Sequence, residues 1–338
     1  MSISVVVPIY NEVENVFPLH CALTEAFSMM SESYEVIFVD DGSNDGSLIE
    51  LQTLANSDSR VKVIEFRTNF GQTAALRAGI LAASGEKIVL IDGDLQNDPL
   101  DIPMLLQKID AGYELVHGWR RDRHDALWTR KLPSWIANRI IGWVTGYHAH
   151  DLGCTLKAMR AEVAHELPLY GEMHRFIPVF AHSQGARCRE LPVRHHPRRA
   201  GTSKYGLSRT IPVLLDLITV KYLIRYSAKP MRFFGGLGLM LASLALMAML
   251  MAAGANFYGA STSIMTLIGI ASVVSFPCSL MSFAIGVVAE QNARADSVSR
   301  VRFSVRRTIN LETANLETVP FESASTVEQP NVVERKAA

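Results

Sequence analysis

Four short apolar runs punctuate the first hundred residues: "ISVVVP" at 3–8, "EVIFVD" at 35–40, "VKVIEF" at 61–66 and "KIVLID" at 87–92. They are rich in β-branched residues and of strand length, while the segments between them, such as 16–28 and 48–56, repeat apolar residues at helical spacing. That rhythm predicts βαβ units: an α/β fold with a mostly parallel sheet and helices on both faces. A fifth strand is expected at "YELVHG" (113–118). The pattern then loosens. Residues 207–226 mix apolar positions with Arg209, Asp216, Lys221 and Arg225, as amphipathic helices lying on a membrane do.

Two uncharged apolar runs follow, 233–255 and 264–288. Each exceeds the roughly 20 residues that cross a bilayer, so they predict a transmembrane hairpin, kinked at Pro277. Arg225, Lys229 and Arg232 precede it; Arg294, Arg300, Arg302, Arg306 and Arg307 follow it. Cationic flanks at both ends place both ends in the cytoplasm. The tail after Val301 is polar and poor in aromatics, hence expected to be disordered. The first strand starts almost at once, without a basic start or a long apolar leader. The expected organisation is an α/β domain over 1–206, juxtamembrane helices over 207–232, the hairpin over 233–289 and a tail over 290–338.

Net charge is uninformative, with 33 basic and 33 acidic residues, but its distribution is not. Residues 1–110 hold 17 acidic and 6 basic side chains, and residues 111–232 hold 9 acidic and 20 basic. An acidic first part suits a metal, and a basic second part suits an anionic partner. Nucleic acid is disfavoured, because the basic stretch leads into membrane-facing helices. Cys21, Cys154, Cys188 and Cys278 form no CxxC pair, against a zinc site or a disulfide framework.

The polar motifs fall at strand ends. "PIYNE" follows the first strand, "DDGSNDGS" the second, "RTNFGQ" the third and "DGDLQ" the fourth. In open α/β sheets ligands bind at that edge, where strand order reverses. Asp-x-Asp alone could be a solvated turn. At a strand end it becomes a pair of hard oxygen ligands, Asp92 and Asp94, for Mg²⁺ or Mn²⁺. Neither GxGxxG nor GxxxxGK[ST] follows the first strand, so phosphates are not held by a glycine-rich loop.

Taken in order, "VVPIYNE", "VDDGSNDGS", "NFGQTAALRAG", "DGDLQNDP", "DLGCTLKAMR" and "AGTSKYG" resemble the inverting family 2 glycosyltransferases of GT-A fold, and within them the polyprenyl-phosphate sugar synthases. The likeness covers residues 2–288. It implies that Pro8, Tyr10, Glu12 and Asp40 hold the base and ribose of a nucleotide sugar, and that Asp92, Asp94 and Gln96 bind the metal on its diphosphate. Asp94 and Asp151 would stand at the reaction centre, Asp151 either as base or as a ligand to sugar hydroxyls. Arg120, Arg130 with Ser134, Arg198 and Lys204 would grip the lipid phosphate, arginine being suited to bidentate pairing with phosphate oxygens.

The resemblance also implies a UDP-sugar donor, with GDP-mannose the alternative, a polyprenyl phosphate acceptor, and a place in the inner membrane supplying envelope glycan or lipopolysaccharide modification. The sugar stays open among glucose, mannose, an amino sugar and a uronic acid; His117, Arg121, Arg123 and His124 suit a carboxylated one such as galacturonate, and surface solvation explains them as well. Self-association is also left open, since "VAEQNARADSVSR" replaces the family's usual segment after the second helix. A processive polysaccharide synthase would need Gln-x-x-Arg-Trp, which does not occur. An inactive membrane scaffold is disfavoured by the intact "DGDLQ".

Overall fold

The computed structural model describes residues 2–121, 132–197, 210–227, 229–257, 262–295 and 305–310. The first part alternates as expected: β1 (Ile3–Ile9), α1 (Val13–Ser28), β2 (Tyr34–Asp40), α2 (Ser47–Ser57), β3 (Val61–Phe66), α3 (Gln72–Ala82) and β4 (Lys87–Leu90). After it come α4 (Ile102–Asp110), β5 (Leu115–Trp119), α5 (Leu132–Thr145), β6 (Lys157–Arg160), α6 (Ala161–Glu166), α7 (Ile177–Ser183), β7 (Cys188–Pro192), α8 (Thr210–Tyr226), α9 (Pro230–Phe257), α10 (Thr262–Ala295) and β8 (Val305–Ile309).

All eight strands join one sheet, in the order β7-β5-β6-β4-β1-β2-β3-β8. β1 pairs in parallel with β2 and with β4, and β2 with β3. The chain thus winds outward from β1 to β3 and returns to the other flank of β1 as β4. Strand order reverses between β1 and β4, which opens a crevice at their carboxyl ends. Alternate strand residues feed two cores. Ile3, Val5, Val7 and Ile9 pack with Val16, Leu51 and Leu105 beneath α1, α2 and α4. Val6 turns the other way and packs with Ala75, Ile177 and Val220, from α3, α7 and α8.

Three elements go beyond the sequence reading. β6 is wedged antiparallel between β4 and β5, and β7 pairs in parallel with β5. β6 has four residues and β7 alternates with arginine and glutamate, so neither shows a strand-like apolar run. The third is a correction to the tail. Residues 305–309, expected to be disordered, form β8 antiparallel on β3. Without β8, β3 would present an open row of N–H and C=O groups. Asn310, at φ 59°, seals the corner by donating to the Ala55 and Val61 carbonyls at 2.8 and 3.1 Å.

The two apolar runs form the long helices α9 and α10. Each contains a stretch, Pro230–Gly254 and Ile268–Asn292, long and apolar enough to cross a membrane, and in an apolar 18-residue span of each only 11% is buried. A core helix of a soluble domain would be mostly buried. The two pack through small residues, as membrane helices do. Ser279 and Ser282 hydroxyls donate across the interface to the Gly238 and Phe234 carbonyls at 2.9 and 2.7 Å.

Candidate active site

The loops after β1 and β2 are laced together. The Asn11 amide donates to Ser43 Oγ at 2.9 Å, and its side-chain oxygen accepts from the Asn44 amide at 2.9 Å. The Glu12 amide donates to Ser47 Oγ at 3.0 Å and the Val13 amide to Asp45 at 3.1 Å. Asn11 sits at φ 54°, a left-handed conformation that asparagine tolerates. The loop after β3 joins through Asp41, whose carboxylate accepts the Phe70 and Gly71 amides at 2.7 and 3.0 Å. Gly42 explains the DDGS glycine: at φ 72°, a Cβ there would stand 2.7 Å from the Thr68 carbonyl carbon.

Pro8 is the penultimate residue of β1, opposite Val39, and Tyr10 and Glu12 follow in the laced loop. Glu12 accepts from the Asn15 side chain at 2.6 Å. Asp40 closes β2, buried, with one oxygen 3.3 Å from the Ser43 amide. Its other oxygen, Oδ1, is buried and has no hydrogen-bond partner among the described residues. Burial first, and then the charges of Glu65 and Asp45, raise its pKa against the Ser43 hydrogen bonds. An orphaned acceptor of this kind fits a ligand hydroxyl or N–H.

Across the crevice stands the turn after β4. Asp92 accepts from Gln72 Nε2 and from Thr155 Oγ1, each at 2.6 Å. Asp94 is buried and takes the Gln96 amide at 3.1 Å. The turn passes through Leu95 at φ 57°, an uncommon conformation for a residue with a branched side chain. Burial and then the neighbouring Asp94 charge push Asp92 up to about 6. Two carboxylates held together at that cost fit a divalent cation. Among the described residues no group of three or more His, Cys, Asp or Glu could hold one. Mg²⁺, however, is usually bound by one or two carboxylates plus substrate phosphates, so the donor set fits an ion completed by a diphosphate.

The third wall is the loop 151–155. Asp151 receives the Arg120 guanidinium as a fork, Nε to Oδ2 at 2.7 Å and Nη2 to Oδ1 at 2.9 Å. Its own amide donates to Glu190 at 2.9 Å. Arg120 is held firmly cationic: burial lowers its pKa, and the Asp151 pairing with the nearby negative charges more than offsets that and raises it. At its far end the same loop supplies the Thr155 hydroxyl to Asp92. The arm 193–196 closes over the β4 turn: the His196 amide donates to the Gln96 carbonyl at 2.8 Å, and Arg194 pairs with Asp98 and Asp101 at 3.0 and 2.8 Å.

The structure therefore gathers Pro8, Tyr10, Glu12, Asp40, Asp92, Asp94, Gln96, Arg120 and Asp151 at one edge of the sheet. Ser134 falls in α5, while Arg130, Arg198 and Lys204 lie outside the described residues, as do Arg123 and His124. One expectation is corrected. His117 is fully buried, faces the Tyr147 hydroxyl at 2.9 Å, and is pushed down to about 4 by burial. It is a neutral core histidine, not a group for a sugar carboxylate. Sequence reasoning missed Asp41, Gln72, Thr155 and Glu190. Gln72 and Thr155 stand inside quoted motifs, so the motifs marked the right stretches without singling out these side chains.

Residues 4–167 match the family model described as Glycosyl transferase family 2. A dodecaprenyl-phosphate galacturonate synthase from Rhizobium johnstonii is 41% identical over 301 residues, spanning 87% of this chain and 88% of that one. An undecaprenyl-phosphate 4-deoxy-4-formamido-L-arabinose transferase from Aeromonas hydrophila is 39% identical over 218 residues, spanning 64% and 67%. A solved glucosyl-3-phosphoglycerate synthase from Mycobacterium tuberculosis overlaps 66% of this chain and 79% of its own, at 20% identity and a TM-score of 0.47. With a relative at 41% identity along nearly its whole length, this chain belongs to glycosyl transferase family 2, among the polyprenyl-phosphate glycosyltransferases.

Proposed function

We propose that the protein transfers a sugar from a UDP-sugar to a polyprenyl phosphate, with inversion at the anomeric carbon, at the cytoplasmic face of the inner membrane. One observation carries the reading. The loop 151–155 touches Asp92 at one end and Arg120 at the other, so a site for a metal-bound diphosphate and a cation for a second phosphate share one wall. The donor's base and ribose are assigned to Pro8, Tyr10, Glu12 and Asp40, in keeping with the orphaned Asp40 oxygen. The sugar is read as a uronic acid, on the likeness to the galacturonate synthase. The product then serves as donor for envelope glycan or lipopolysaccharide modification.

A phosphate monoester is already anionic near neutral pH, so the nucleophile needs no strong base. Asp151, with both oxygens turned to Arg120, is accordingly assigned to orienting that arginine. Arg120, together with Arg130, Ser134, Arg198 and Lys204, holds the lipid phosphate, while the isoprenoid tail stays in the bilayer beside α9 and α10. Asp92 and Asp94, with Gln96 in the same turn, would hold Mg²⁺ or Mn²⁺, which when bound offsets charge on the departing nucleotide diphosphate. Positioning the two phosphates in line supplies much of the rest.

The membrane orientation is supported by β8. The chain leaves the sheet, runs through α9 and α10, and comes back to pair with β3, which requires both ends of the helical pair to be on one side. The reading is tested by incubating purified protein with polyprenyl phosphate and a panel of UDP- and GDP-sugars, with Mn²⁺ or with excess EDTA. Radiolabel should pass to lipid from a UDP-uronic acid and stop in EDTA. Asp94→Asn should lower turnover about a hundred-fold or more with the circular dichroism unchanged. Full activity in EDTA, or donor binding without lipid product, would refute it.

A further inference from the structure

A buried lysine, Lys157, stands in the wall of the site. Lys157 is the first residue of β6, opposite Leu90 of β4 and His117 of β5, and is only 3% exposed. An ammonium has three donors and is costly to bury without acceptors. Lys157 has no ion pair within 4.0 Å among the described residues; its Nζ donates to the Cys154 carbonyl. Burial lowers its pKa, while the nearby Cys154, Asp92 and Asp151 raise it and Arg120 opposes them. It is therefore neither a surface cation nor the partner of one carboxylate.

The carbonyl it holds sits in the loop that joins the two halves of the site. At one end Asp151 carries Arg120, by two short contacts of 2.7 and 2.9 Å, and is itself fixed by Glu190. At the other end Thr155 clamps Asp92 at 2.6 Å. Between them the Cys154 thiol faces Asn97 of the β4 turn at 3.6 Å, and Gly153 returns its amide to Asp151 at 3.1 Å. The backbone of this short span sets how far Arg120 stands from Asp92. The Lys157 hydrogen bond ties the backbone of its middle to the sheet, beside the buried Cys154 side chain.

We propose that Lys157 is a positioning residue that fixes the separation of the metal carboxylate Asp92 from the acceptor cation Arg120, by anchoring the Cys154 carbonyl between them. The inference rests on the functional reading above. It assigns Lys157 to the alignment of the two substrates rather than to the affinity for either. A misplacement of about 1 Å at a reacting centre costs roughly a hundred-fold in rate, whereas each half of the site keeps its own ligands when the span shifts.

The test is Lys157→Met, nearly isosteric and uncharged, in the full-length protein in detergent with Mn²⁺. Three quantities are read: kcat, the KM for donor and for lipid, and the Mn²⁺ affinity by electron paramagnetic resonance without substrates. The expected result is a kcat lowered about a hundred-fold, with both KM values and the Mn²⁺ affinity within about threefold of wild type. A wild-type kcat would overturn the proposal. So would a fall in Mn²⁺ affinity or a rise in one KM large enough to account for the lost rate. If the methionine variant does not fold, Lys157→Leu, which likewise removes the donor, takes its place. The same split is expected of it, and a wild-type kcat again overturns the proposal. Wild-type turnover on the same substrates is the control that separates failure of the functional reading from failure of this one.

Discussion

Asp92 and His117 show how one environment drives two groups in opposite directions. Asp92 is half-buried and His117 fully buried, and burial disfavours whichever form is charged. It pushes the Asp92 carboxyl up to about 6 and the His117 imidazole down to about 4. For His117 the consequence is a pH dependence of stability. Unfolded, the ring takes a proton near its ordinary value of 6.5; folded, it stays neutral until about 4. Its contribution is therefore present above pH 6.5 and is lost as pH falls from about 6.5 to 4, since the unfolded state binds more protons there. The thermal midpoint in detergent should drop between pH 7 and pH 5, and His117→Gln should flatten that drop. An equally steep drop in the variant would assign the acid sensitivity elsewhere. The sequence showed His117 as one of several basic residues near a strand end. It could not show that Tyr147, thirty residues on, closes over the ring, because a contact between distant segments leaves no local pattern.

At the scale of elements, the strands that read clearly were those buried on both faces. β1, β2 and β3 emerged almost to the residue, because parallel central strands are continuous apolar runs. β6, β7 and β8 carry Lys157, Arg189 and Arg306 inside their spans, and polar edge or wedge strands of this kind resemble loops. The helical pair was legible from composition alone, but its packing was not. Gly238 faces the Phe283 ring, where a Cβ would come within 2.8 Å, whereas Gly236 has nothing within 4 Å. Gly238→Leu should therefore destabilise the pair by about 1–3 kcal/mol through overpacking, read as a lower thermal midpoint in detergent. Gly236→Leu should leave it unchanged. Equal effects at both positions would show that the two helices do not pack as described.

For the whole molecule, the decisive fact is that one chain carries the carboxylate edge, the arginine wall and the apolar helical pair. The acidic first part and the basic second part meet at one crevice: Asp92 and Asp94 from the former, Arg120 and Arg194 from the latter. The sequence showed the charge swing and the motif order, and so the chemistry. It did not show that the loop 151–155 bridges the halves, which depends on β6 lying beside β4. The orientation has its own test. A cysteine placed at Ser304 should resist membrane-impermeant reagent added outside intact cells and react after permeabilisation; labelling from outside would contradict a tail that returns to β3. In the proposed function both phosphates meet in one site for a direct displacement. The most direct measurement is the product of the reconstituted protein: its anomeric configuration, and the nucleotide released with it. The account requires a polyprenyl monophosphate sugar of inverted configuration with equimolar UDP. Retained configuration, or release of UMP in place of UDP, would contradict it.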